Sequence, residues 1–281
     1  MSARPGFYGL IAKANAAGLF VCVGLDSELG RIPPGLVASS GSQFEFNRRI
    51  IDATADLAAA YKPNSAFYEA EGSAGIDALA KTIEHIRAVA PHALIVLDCK
   101  RGDIGSTNRG YVEAAFRVLG ADAITIHPYL GLEAMREFLV DPRLGAFVLC
   151  RTSNPGAGEF QDLRVSTDLG ERPLFEVVAH HVRTDWNENN NCGLVVGATY
   201  PEELASIRAL APKLPFLIPG IGAQGGDLGA TIESSGIRDG APTIINSSRG
   251  IIFASSGAEF AQAARAATQS LNTEIAQLLM N

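Results

Sequence analysis

Short runs of apolar and β-branched residues recur along the chain at 19–25, 60–63, 93–97, 123–126, 146–149, 193–196, 215–218 and 243–245. Near-continuous apolarity over so few residues is what a parallel strand buried on both faces requires. The segments between them carry helical spacing. In the last one Phe260, Ala264, Ala267, Leu271, Ile275 and Leu278 follow steps of three and four, which lines one helical face with apolar groups. Residues 107–119 and 173–186 read the same way. Eight strands alternating with about eight helices predict a (β/α)8 barrel of α/β class. An open doubly wound sheet is the alternative, because strand count alone does not require closure.

Length sharpens the pattern. The 281 residues would suit two average domains, yet one barrel commonly takes about 250. No repeat, low-complexity tract or linker divides the chain, so residues 1–281 are read as one catalytic barrel domain. The surplus falls in two segments, 27–43 and 152–172, which follow strand ends on the face where barrels bind substrate. Both are read as either lids or inert insertions.

Composition then narrows the function. With 47% hydrophobic residues the chain is not disordered, and no apolar run approaches the roughly 20 residues that span a membrane. Thirty acidic against 23 basic residues give a net charge of -7, which argues against nucleic acid as a partner. A small anion remains open to it, since a few amides and one arginine can hold phosphate whatever the global charge. The apolar run at 16–25 leads straight into Asp26 rather than into a cleavage region, so it is not read as a signal peptide. Cys22, Cys99, Cys150 and Cys192 form no zinc-like or CxxC spacing and are expected to be free and structural. A cytoplasmic location is expected.

The densest chemistry lies at Asp98-Cys99-Lys100-Arg101-Gly102-Asp103, directly after the third apolar run. Alternation along a strand would put Asp98 and Lys100 on one side and Cys99 on the other. Asp103 follows after a short glycine-containing loop, and two carboxylates near one ammonium favour its charged form. Such a group suits a general acid or a fixed cation opposite developing negative charge. Lys62 ends the preceding strand, about 4.8 Å away in a sheet, and is expected to join the cluster.

A glycine-rich stretch, Pro219 to Gly226, contains GxGxxG, but only one strand follows it, so no dinucleotide-binding unit can be built there. As the loop after a seventh barrel strand it offers amides to a phosphate instead. Arg249 and Gly250 follow the eighth strand, and the guanidinium suits bidentate contact with phosphate. Loops after strands seven and eight form the usual phosphate site of this fold. Asp26 suits either ribose hydroxyls or a turn cap, Ser153 a base carbonyl, and His127 a buried hydrogen bond.

Asp98-x-Lys100-x-x-Asp103-Ile104, Lys62 on the preceding strand, and Pro219-Gly-x-Gly-Ala-Gln-Gly-Gly226 followed by Arg249 together resemble the orotidine 5'-phosphate decarboxylases. The longer loops are similar to those of a bacterial subgroup with enlarged insertions. The resemblance implies decarboxylation of orotidine 5'-phosphate to uridine 5'-phosphate and carbon dioxide, a step of pyrimidine biosynthesis, without a cofactor or metal. By the same resemblance Lys100 protonates C6, Asp98 sits beside the substrate carboxylate, and Lys62 holds Asp98 and contacts the ribose. Asp103, Ile104 and Thr107 would reach the active site of a partner subunit, making a homodimer with shared sites. Asp26 would bind the ribose or base, Ser153 the pyrimidine edge, and Gln224 and Arg249 the phosphate, with amides near Gly222 and Gly250.

Three rivals stand beside this reading. A related phosphosugar decarboxylase or synthase would hold magnesium on carboxylates at strand ends, whereas the second strand here ends in Lys62. A Schiff-base aldolase would need Lys100 neutral, and its acidic neighbours oppose that. A non-catalytic phosphate- or nucleotide-binding barrel would have no use for the lysine–aspartate set.

Overall fold

The computed structural model describes residues 4–37, 41–168, 170–221 and 225–280. Its strands are β1 (Val21–Leu25), β2 (Ala60–Pro63), β3 (Leu94–Arg101), β4 (Ala123–Ile126), β5 (Gly145–Arg151), β6 (Arg164–Thr167), β7 (Gly170–Pro173), β8 (Cys192–Val196), β9 (Phe216–Ile218) and β10 (Thr243–Ser247). Eight close into a barrel in the order β1-β10-β9-β8-β5-β4-β3-β2, and β6 with β7 makes a separate two-stranded sheet. All eight barrel pairings are parallel, and β1 bonds both β2 and β10. That closure removes the open-sheet alternative. The chain is a (β/α)8 barrel.

Both faces of the strands are dry, as their apolar runs demand. On β1, Val21, Val23 and Leu25 pack outward with helical residues such as Phe46 and Ile50, whereas Cys22 faces the barrel interior with Ala60, Val96, Phe147 and Ile244. The helix Phe7–Ala16 buries Phe7, Leu10, Ile11 and Ala14, spaced by three and four, against that interior layer. Phe7 meets Phe147 edge-on with ring centroids 5.1 Å apart. A side chain on Gly145 would fall 2.1 Å from the Phe7 ring, so glycine is what admits the ring. Burying one such phenylalanine is worth roughly 1.5–3 kcal/mol.

The two long segments have structure of their own. After β1 come a 3-10 turn (Leu29–Arg31) and a short helix (Pro34–Val37). The side chain of Gln43 donates to the carbonyls of Ser27 (2.8 Å) and Phe67 (3.0 Å), fastening the base of this segment. After β5 come Pro155–Ala157, the helix Gly158–Gln161 and the β6–β7 hairpin, which the apolar pattern does not announce because its strands are largely exposed. Arg151 fastens this insertion to the barrel. Its buried guanidinium pairs with Glu203 and, at 3.2 Å, with Asp162, and lies 4.5 Å from the centre of the Tyr200 ring.

Candidate active site

Inward alternation leaves one residue per strand at the top of the barrel interior. Lys62 (β2), Asp98 (β3), Thr125 (β4), Leu149 (β5), Val195 (β8), Leu217 (β9) and Asn246 (β10) all line a cavity of about 470 Å³ at the carboxyl ends of the strands, within the roughly 300–1,000 Å³ typical of small-molecule sites. The floor is polar along β10, β2, β3 and β4 and apolar along β5, β8 and β9. On β1 the matching position is Gly24, where a Cβ would lie 1.9 Å from the Ser248 hydroxyl oxygen. Glycine there lets the segment after β10 cross the barrel mouth.

The polar half is organised around Asp98. Its Oδ2 accepts from Lys62 Nζ at 2.7 Å and its Oδ1 from Lys100 Nζ at 2.7 Å. The two ammonium groups differ in exposure: the Lys62 side chain is 5% exposed and that of Lys100 is 50% exposed. Asp26 adds a second carboxylate 3.8 Å from Lys62. Burial alone would push Lys62 down, but the charges of Asp98 and Asp26 outweigh it and hold the ammonium above its ordinary range. Burial likewise opposes ionisation of Asp98, and the two lysines overcome it and hold the carboxyl below the usual carboxylate range.

Lys100 reaches Asp98 by a different route from simple alternation. Between Leu97 and Arg101 the β3 ladder slips against β4, four steps on one strand opposing two from Ile124 to Ile126. Lys100 occupies the left-handed region at φ +47°, sparsely populated for a residue with a side chain. Asp103 follows on the same departure from the strand. Within the chain its carboxylate accepts from the Ile104 amide at 2.7 Å and it does not line the cavity. The chain leaves the strand as a bulge, and within this one chain the ammonium of Lys100 pairs with Asp98. Ile104 is 60% exposed and Thr107 is exposed beside it.

Asp26, Ser153, Pro219, Arg249 and Gly250 also line the cavity. Among the described residues no carboxylate pairs with Arg249, in contrast to Arg151. Gly222 and Gln224 lie outside the described residues. On either side of them Gly220 (φ +104°) and Gly225 (φ +85°) take conformations that favour glycine, and Gly226 N–H donates to the Gly220 carbonyl at 3.0 Å. His127 stands half-buried with Nε2 3.2 Å from the Gly102 carbonyl, which is the structural role. Sequence reasoning passed over Asn64, Thr125, Thr152, Asn154, Gln161 and Asn246, which also line the cavity. For Thr125 and Asn246 a signal was present: Thr125 is a polar residue inside an apolar run, and Asn246 directly follows one. Gln161 comes from the insertion and had none. The Oδ1 atoms of Asp26 and Asn246 are buried and accept no hydrogen bond among the described residues.

Fold and charge array together define a (β/α)8-barrel enzyme with a lysine–aspartate–lysine centre at its carboxyl-end mouth. The sequence model of the Orotidine 5'-phosphate decarboxylase / HUMPS family matches residues 20–264. An orotidine 5'-phosphate decarboxylase of Paracidovorax citrulli is 48% identical over 249 residues, which is 89% of this chain and 90% of the relative. The structure of Leishmania donovani OMP decarboxylase superposes with a TM-score of 0.82 at 39% identity, covering 98% of this chain and 99% of that one. Leishmania donovani UMP synthase superposes with a TM-score of 0.85 at 42% identity; 98% of this chain is covered, and it spans only 57% of that longer one. The chain belongs to the orotidine 5'-phosphate decarboxylase family.

Proposed function

We infer that the chain converts orotidine 5'-phosphate to uridine 5'-phosphate and carbon dioxide, supplying uridylate in pyrimidine synthesis. The observation that carries this reading is the Lys62–Asp98–Lys100 array in a cavity that also holds Arg249, which no carboxylate pairs among the described residues. When the bond from C6 to the carboxylate breaks, its electron pair stays on C6. The ring offers that pair no adjacent π-acceptor, so stabilisation has to come from a cation placed where the charge develops. Lys100, half-exposed at the cavity, transfers its proton to C6 and recovers one from solvent; Lys62, buried, holds Asp98 in place. No cofactor enters this scheme.

Arg249, with the amide of Gly250 and the 219–226 loop, grips the phosphate, remote from the reacting carbon, where binding energy can order the loops. Gly222 and Gln224 belong to that grip by resemblance. Asp26 meets ribose hydroxyls, and its buried Oδ1, which accepts no hydrogen bond among the described residues, supports this. Ser153 meets the pyrimidine edge. We further propose that all 281 residues work as one catalytic barrel in the cytoplasm. The half-buried Asp103 and the exposed Ile104 and Thr107 would complete the site of a partner subunit in a homodimer. No helix among the described residues is long and apolar enough to cross a membrane.

The test is loss of orotate absorbance when EDTA-treated protein meets orotidine 5'-phosphate. Turnover supports the assignment. Unchanged absorbance from folded protein, or a requirement for added magnesium, overturns it in favour of the binding-only or metal-dependent rival.

A further inference from the structure

We propose that Thr125 is a positioning residue for the proton donor, acting through its hydroxyl; this rests on Lys100 being that donor. A threonine hydroxyl has one proton to give and two lone pairs to receive with, and all three are engaged. Oγ1 accepts from Cys99 N–H at 3.0 Å and from Lys100 N–H at 2.9 Å, and it donates to Asp98 Oδ1 at 2.9 Å. The side chain that makes these bonds is 1% exposed, so water does not compete for them.

The placement explains how β3 sustains its irregular end. Where the ladder slips, consecutive amides of β3 lose their regular β4 partners, and unpaired buried amides are costly. Two successive N–H groups in such a turn form a concavity that suits one electronegative atom. Thr125 supplies that atom from the neighbouring strand. Lys100 is held at φ +47° by bonds to its own amide and to the one before it. The same hydroxyl reaches the carboxylate oxygen that receives the Lys100 ammonium. Backbone and head group of Lys100 are therefore referenced to one oxygen, and the removal of that oxygen frees both.

The experiment compares Thr125→Val, Thr125→Ser and Lys100→Ala in the full chain, reading kcat and KM for orotidine 5'-phosphate and the affinity for uridine 5'-phosphate. Valine keeps the shape and deletes the hydroxyl. A misplacement of about 1 Å costs on the order of 100-fold in rate, so Thr125→Val should lower kcat by about that factor. KM and nucleotide affinity should move less than about threefold, since binding in the ground state is not what the hydroxyl supplies. Thr125→Ser should recover most of the rate.

A Thr125→Val enzyme with the parental kcat, or a serine variant as slow as the valine one, overturns the proposal. So does a loss confined to KM. Should the valine variant not fold, Thr125→Cys replaces it, close in size to serine but a weak acceptor, with the same expectations. Lys100→Ala separates the two levels. If it abolishes turnover while Thr125→Val does not, only the role of Thr125 fails; if it keeps a near-normal rate, the assignment of Lys100 falls and the proposal with it.

Discussion

Replacing Asp98 by Asn tests whether the charge array is the electrostatic keystone of the barrel mouth. At an effective dielectric constant of about 20, two unit charges 2.7 Å apart attract by about 6 kcal/mol, and 3.8 Å reduces this to about 4. In the parent protein the first figure describes Lys62 with Asp98 and the second Lys62 with Asp26. Desolvating both partners offsets much of the gain, so the intact pair adds little net stability. Its rupture is another matter, because Lys62 stays buried with only the weaker partner. Buried pairs broken from one side cost about 3–5 kcal/mol. At roughly 2–4 °C per kcal/mol for a chain of this size, the melting temperature should fall by about 10 °C. Lys100, half-exposed, turns to water and adds little. Lys62→Met combined with Asp98→Asn removes both buried charges and should recover most of the lost stability, though not turnover. Acid should reproduce the loss: with the carboxyl held below its ordinary range, its contribution is present at neutral pH and is lost as pH falls below about 4. An Asp98→Asn protein as stable as the parent, or a double variant weaker than the single one, would refute the reasoning; urea and thermal denaturation read both.

Arg249→Ala should raise KM for orotidine 5'-phosphate by about 10–100-fold, the worth of a charge-assisted contact; an unchanged KM in steady-state assays would remove the arginine from the phosphate site. Mixing inactive Asp103→Asn and Lys100→Ala subunits in equal amounts should restore up to about a quarter of parental activity, since half of randomly formed dimers carry one intact shared site. Continued inactivity after subunit exchange, verified by native mass spectrometry, would count against shared sites. Burial drives the thiols of Cys22, Cys99 and Cys192 up to about 12 and raises Cys150 as well, so a disulfide reagent at pH 8 should react slowly with native protein and release four equivalents once it is unfolded. A fast-reacting thiol in the folded enzyme would contradict that burial.

The barrel was legible because a doubly buried parallel strand has to be apolar throughout, and helices with one apolar stripe separate such runs. Lys62 and Asp98 were legible for the same reason: they are charges at the ends of runs that tolerate none. The end of β3 was not. Its bulge depends on Thr125, which lies on another strand, and no local rule on 96–104 anticipates a lysine at φ +47°. The β6–β7 hairpin stayed hidden because exposed four-residue strands carry little alternation, and Gln161 entered the cavity through contacts that only tertiary structure makes, accepting from the Thr152 amide at 2.9 Å.

The two lysines are not interchangeable, and the polarity of the floor shows why. Lys62 has no freedom: it is buried, bonded to Asp98 and flanked by Asp26, so a proton taken from it would leave two carboxylates with one fewer cation. Lys100 shares Asp98 but keeps half its side chain exposed, and proton exchange with solvent is open to it. Across the cavity Leu149, Val195 and Leu217 present no polar group. A ligand seated on that floor would displace water from the charged half, with the polar groups of Thr152, Ser153, Asn154 and Gln161 above the apolar half, and this would strengthen the field of Lys100 at a developing anion. Charge on one half of the ring and its absence on the other are thus parts of a single electrostatic device.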